Sequence, residues 1–175
     1  MPEVPALIAE ATKKSDLVWL AADDMPATAA WHVWHDDAVY VVGGAGEQPL
    51  PGVAEAETCA VIVRSADTWG RIVTWEATIS RVDPGSEQWS SVVPVLVAKR
   101  LNLRDGDSAA ARWAAEGAVF RLAPTGRLLE AGESLPSEGG AAPPRETPAT
   151  TSVHVPYTLG RRRRRRSNES TDNRG

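Results

Sequence analysis

The segment that most constrains this chain is Ala27 to His35. Read as a strand, it alternates its side chains, so Trp31, Val33 and His35 face one way while His32 and Trp34 face the other. Large rings on both sides mean that neither face can be freely solvated, because an indole is mostly apolar surface. Such a strand is either central in a sheet or packed on a second subunit. Asp36 and Asp37 follow it as a tight turn, and Ala38 to Val42 then reads as a third strand, hairpin-paired to the second.

The flanking pattern builds an α+β domain. Val4 to Lys14 carries Leu7, Ile8 and Ala11 at helical spacing and ends on two lysines that suit a helix C-terminus. Asp16 to Ala22, with the apolar run Leu17–Leu20, is a first short strand, and Asp23 to Pro26 a turn. Gly43 to Gly46 ends the third strand. Thr58 to Arg64 is a fourth, so continuously apolar that burial on both faces is expected. Arg71 to Val82 is a long fifth strand, and Ala118 to Ala123 a sixth, closed by Pro124, Thr125 and Gly126. Between them, Glu87 to Leu101 carries an apolar helical stripe. Pro94 lies inside it and is expected to kink or split the helix. Ser108 to Glu116 reads as a further short helix. Six short, mostly antiparallel strands predict a small barrel and not a doubly wound sheet.

Tryptophan and charge locate the domain boundary. All seven tryptophans lie between Trp19 and Trp113, which places the packed domain at residues 4–135. From Pro136 the chain turns to Pro, Gly, Ser, Thr, Ala and Glu, a composition that cannot supply a core and predicts a disordered tail over 136–175. Residues 1–135 hold 11 Lys/Arg against 19 Asp/Glu, and residues 136–175 hold 8 Arg against 4 acids. The acidic domain is therefore a poor partner for nucleic acid. A polyanion contact is expected only through Arg161, Arg162, Arg163, Arg164, Arg165 and Arg166.

One cysteine, Cys59, excludes an intrachain disulfide, and its apolar neighbours predict an inert core residue. Met1 to Lys14 lacks the basic start and apolar run of a secretory signal. No stretch approaches the ~18 apolar residues of a membrane span, so the expected compartment is the cytoplasm. No Ser/His/Asp triad, paired-carboxylate site or Cys/His metal spacing is visible. His32 and His35 lie on opposite faces, which argues against one metal bound to both.

Several segments, taken together, resemble the FMN-binding split-barrel family, which includes pyridoxamine 5′-phosphate oxidase-like proteins and deazaflavin-dependent reductases. They are the strand Leu17–Ala22, the turn Asp23–Pro26, the strand Ala27–Trp34, the turn Asp36–Asp37 and the strand Ala38–Val42. Gly70–Trp75, the helix ending Ala98–Leu101 and the close Leu122–Gly126 continue the likeness, which covers roughly residues 5–126. The resemblance implies a homodimer that holds FMN or a deazaflavin in an interface groove, through backbone of the second and third strands. It would set the ring near Thr28, Ala29 and Ala30, with Val42, Gly43 and Gly44 at its edge. The family usually follows its third strand with a Thr and then a Lys or Arg for the cofactor phosphate. Here Gly43 to Gly52 contains no cation, and Glu47 has the opposite sign. Arg64 and Arg71, at strand ends, are the cations nominated in its place. Two functions stay open: a flavin- or deazaflavin-dependent oxidoreductase of unknown substrate, or a non-catalytic split-barrel dimer that has lost the phosphate site and serves as an interaction module.

Overall fold

The computed structural model describes residues 6–44, 46–65, 67–68, 70–101, 103 and 108–135. The expected tail, with its arginine run, and Trp69 lie outside the described residues. In chain order the elements are α1 (Ala6–Lys14), β1 (Leu17–Ala21), β2 (Thr28–Trp31), β3 (Val33–His35), β4 (Ala38–Gly44), β5 (Thr58–Arg64), β6 (Arg71–Arg81), α2 (Glu87–Lys99), α3 (Ala109–Glu116) and β7 (Gly117–Ala131). A short 3-10 turn, Gly132–Ser134, follows β7.

All seven strands form one antiparallel sheet in the order β2-β1-β5-β6-β7-β4-β3. Its two edges, β2 and β3, are separated in sequence by His32 alone. Trp31 and Val33 are two residues apart, and an extended chain covers at most ~3.3–3.6 Å per residue. The two edges therefore lie within about 7 Å of each other. A seven-stranded sheet can meet that condition only by curling until its edges come together, which makes the barrel a geometric necessity of this strand order. No ladder joins β2 to β3, so the barrel is split along that line.

This corrects the strand count. The expected second strand is broken at His32 into two pieces that end up at opposite edges of the sheet, giving seven strands where six were expected. The segment is thus not central. Trp31, Trp34 and His35 are half-buried, Trp31 against the cluster under α2 and α3 and Trp34 against the barrel cluster. The expected last strand also does not stop at Pro124. β7 runs on to Ala131, with register shifts against β6 around Trp75 that let Pro124 sit opposite Ala77 without a ladder donor. Pro94 does not split α2, which is one helix with that proline on its exposed side. β5 buries Cys59, Val61 and Val63 on one face and only half-covers Ala60 and Ile62 on the other, so burial on both faces is not realised there.

β4 is the strand that is buried on both faces. Val39 and Val41 point into the barrel, where they join Val18, Val61, Val63, Val73, Trp75 and Leu122 under Ile8 and Ala11 of α1. Ala38, Tyr40 and Val42 point outward into a second cluster with Val92, Val93 and Leu96 of α2 and Trp113 of α3. Two residues make the β3–β4 turn, Asp36 and Asp37, both at positive φ (44° and 52°). That backbone matches the twist of paired strands, and Asp tolerates it better than most residues. Helix α2 starts cleanly because Ser86 Oγ accepts the Trp89 N–H at 3.1 Å.

Candidate functional site

The split in the barrel is closed by a loop. Trp31, at the end of edge strand β2, has a backbone N–H and C=O with no strand to receive them. Gln48 takes both: its Oε1 accepts the Trp31 N–H at 2.8 Å and its Nε2 donates to the Trp31 carbonyl at 3.0 Å. One carboxamide thus stands in for a missing peptide unit, and a bridge between Gly43 and Gln48 ties the same loop to β4. The neighbouring Glu47 fixes the loop from beneath. Its carboxylate is 1 % exposed and accepts from Arg100 Nε at 3.0 Å, an Arg112 NH2 at 3.1 Å and Trp113 Nε1 at 2.9 Å. Arg100 in turn lies over the Trp31 ring, 5.4 Å from its centroid. Glu47 is therefore an anchor, saturated by three donors: Arg100, just past α2, and Arg112 and Trp113 of α3.

Beyond this loop, at the end of β4, is a pocket of about 410 Å³. Gly43, Gly44 and Gly117 line it with bare backbone, Ile79 and Phe120 are apolar walls, and Arg81 stands beside them. The glycines have packing reasons of their own. Gly44 sits at φ +113°, and a Cβ there would come within 2.7 Å of the Gly117 Cα across the β4–β7 ladder. Arg81 donates to the Gly117 carbonyl at 3.2 Å, and Glu116 lines the same pocket with the opposite charge.

The residues expected to hold a cofactor do not converge. Gly43 and Gly44 line this pocket; Thr28, Ala29, Ala30, Val42, Arg64 and Arg71 do not. Val42 is packed in the outer cluster and Ala30 in the barrel interior. Thr28 and Ala29 are half-buried on edge strand β2, where Thr28 Oγ1 donates to the Pro26 carbonyl at 3.3 Å. Arg64 and Arg71 pair with each other at the β5–β6 turn. Arg64 stacks on Trp19 at 4.9 Å and Arg71 bridges Glu130 at 2.8 Å. Arg71 and Arg81 are the two ends of β6, ten residue steps apart, about 33 Å at the usual strand rise. Sequence reading did not nominate Arg81 or Gly117. The available signal was position: Arg81 ends the longest expected strand, and Gly117 opens the last one.

His32 is buried (3 % exposed). Its Nε2 meets the Thr12 carbonyl at 3.1 Å. A carbonyl can only accept, so Nε2 carries the proton and Nδ1 is left with a lone pair. Burial pushes its pKa down to about 4, with Lys99 pushing the same way and the Thr12 contact and Asp16 opposing. His35, on the other face, shares a hydrogen with Ser91 Oγ at 2.7 Å and lies 3.2 Å from Asp36. The two imidazoles thus serve different surroundings, as their alternation predicts. Cys59 is buried in the barrel and desolvation raises its thiol to about 12, which makes it inert at neutral pH. Among the described residues no group of three or more His, Cys, Asp or Glu is placed to hold a metal. Among them, too, no helix is long and apolar enough to cross a membrane.

No protein-family model matches the chain, and no curated protein matches it in sequence. Solved structures do. The haem storage protein HutZ of Vibrio cholerae superposes with a TM-score of 0.52 at 18 % identity, over 72 % of this chain and 93 % of its own. A conserved hypothetical protein, Rv2991, of Mycobacterium tuberculosis gives a TM-score of 0.50 at 17 % identity, over 70 % and 81 %. A FAD- and haem-binding protein of Mycobacterium smegmatis is a looser match, with a TM-score of 0.47 at 15 % identity over 90 % and 93 %. With its antiparallel sheet curled so that its edges meet, this chain has the split-barrel fold and resembles the FMN-binding split-barrel family.

Proposed function

We propose that this protein binds a flavin-type cofactor, FMN or a deazaflavin, and works as an oxidoreductase on a small substrate. The carrying observation is the pocket at the end of β4. Its volume of about 410 Å³ falls in the usual range for small-molecule sites, roughly 300–1,000 Å³. Bare peptide groups of Gly43, Gly44 and Gly117 are suited to hydrogen-bond the polar edge of a planar ring, and Ile79 and Phe120 to cover its apolar part. Arg81 is the residue for an anionic tail. When bound, the cofactor supplies the hydride chemistry, and the protein's part is to orient it and exclude water. A homodimer and a cytoplasmic location belong to the same reading.

One observation favours the second function. Glu47 occupies the stretch where the family places a phosphate-binding cation, and it is held there by three donors. That arrangement is what a split barrel would keep after giving up its cofactor and becoming an interaction module.

One titration separates the two. The purified full chain is examined for visible absorbance, then titrated with FMN, a deazaflavin and haemin, the last because a haem storage protein shares the fold. Saturable flavin or deazaflavin binding is expected. Arg81→Gln should weaken it about tenfold, the loss of roughly one charge-assisted hydrogen bond. No colour and no flavin binding at high micromolar concentration would leave the interaction module as the function, and haemin binding alone would replace the flavin assignment.

A further inference from the structure

The charges around the pocket at the end of β4 restrict what its ligand can end in. Among the described residues Arg81 is the only lysine or arginine that lines it. Its guanidinium is already engaged with the Gly117 carbonyl at 3.2 Å. Glu116 lines the same pocket and brings the opposite charge. Arg121 is close in sequence but alternates with Phe120 and Leu122, which belong to the barrel interior, and so points to the other face of β7.

Helix α3 adds to the negative side. Glu116 is its last residue and Gly117 the first of β7, so the pocket meets this helix at its C-terminus. The last carbonyls of a helix have no intrahelical partner and carry the negative end of its dipole. Two of them lie against the glycines of the pocket wall. A Cβ on Gly44 would sit 3.0 Å from the Glu116 carbonyl oxygen, and one on Gly117 would sit 3.3 Å from that of Trp113. Anions are held at the opposite end of a helix, where N–H groups point outward.

A phosphate monoester carries about −1.5 to −2 charges at pH 7. Here it would meet one cation already in use, a carboxylate and a helix C-terminus. The same wall suits a chain of hydroxyls. Each hydroxyl can donate to a carbonyl or carboxylate and can accept from a guanidinium.

Resting on the flavin reading above and narrowing it, we infer that the pocket takes a flavin or deazaflavin that ends in its polyol, without a terminal phosphate, and that Glu116 sets this choice. Arg81 then serves the tail as a donor to hydroxyl oxygens, and the acceptors at the end of α3 take hydroxyl hydrogens.

The test titrates the full chain at low ionic strength with riboflavin and with FMN, which differ only in the phosphate, and reads the quenching of flavin fluorescence. Riboflavin is expected to bind at least as tightly as FMN. Glu116 is exposed, and Glu116→Lys places a cation at a helix end that favours one. This variant should shift the ratio of the two dissociation constants about tenfold toward FMN. Glu116→Gln should shift it the same way by less. The shift should shrink at 1 M salt, where the Debye length falls to ~3 Å. Tighter binding of FMN than of riboflavin by the unaltered chain would overturn the inference and leave the flavin reading standing. So would an unchanged ratio in both Glu116 variants, since the acid would then have no part in the choice. If neither compound binds, the flavin reading falls and takes this inference with it.

Discussion

Glu47 and His32 are both buried, ionisable and close in sequence to the seam of the barrel, yet the fold treats them oppositely. Glu47 accepts three hydrogens from Arg100, Arg112 and Trp113. His32 makes one contact, to the Thr12 carbonyl, and keeps its other nitrogen unpartnered. A low-dielectric interior strengthens a satisfied polar network and penalises an incomplete one. The first arrangement is therefore a staple, and the second an incomplete contact that carries a desolvation cost. The difference lies in what surrounds each residue, since either side chain alone would be costly to bury.

The comparison can be broken from the staple side. Glu47→Ala removes the acceptor shared by two arginines and an indole, and should cost about 3–5 kcal/mol, as breaking a buried ion pair does. Chemical denaturation would read this as a lower midpoint at unchanged slope. A loss below 1 kcal/mol would mean that the network is decorative.

From the His32 side, pH is the sharper probe. The His32 pKa is lowered from 6.5 to about 4 in the folded protein. The unfolded chain therefore takes up a proton first as the medium is acidified. The stability is fully present above about pH 6.5 and is lost as pH falls toward 4, by about 3 kcal/mol at most. His32→Asn should flatten that part of the stability–pH curve. An equal slope in the variant would assign the effect to other groups.

Between the two lies Gln48, which closes the seam next to Glu47 and across Trp31 from His32. Gln48→Ala frees the Trp31 N–H and C=O and should cost about 1–2 kcal/mol for two hydrogen bonds. The Trp31 amide should exchange with solvent markedly faster. Unchanged exchange there would show that the edge is protected by something other than the carboxamide.

The fold was legible where the side-chain pattern is local. The turn at Asp36 and Asp37, the helices ending at Lys14 and beginning at Glu87, and the existence of a strand over Thr58–Arg64 follow from spacing and turn chemistry over a few residues. The break at His32 was not legible, because nothing in the Trp31–Trp34 pattern distinguishes a straight strand from one that crosses the seam of a closed sheet. Gly43 and Gly44 were legible as the end of a strand, but Gly117 and Arg81 join them only through the β4–β7 and β6–β7 ladders. Arg64 and Arg71 are near the glycines in a sequence diagram and at the other end of the hairpin in space.

By itself, the sequence determined the class of the domain and the placement of its elements, since strand alternation, helical stripes and turn residues act over short range. It also determined that the indoles at Trp31 and Trp34 had to be covered. Tertiary structure decided what covers them: α2 and Arg100 for Trp31, Trp75 and Lys13 for Trp34. It decided as well that Glu47 is an anchor and that His32 keeps a lone pair without a hydrogen-bond partner. Both outcomes depend on which groups meet across tens of residues, and hydrogen-bond satisfaction in the interior is a property of the assembled neighbours and not of the residue.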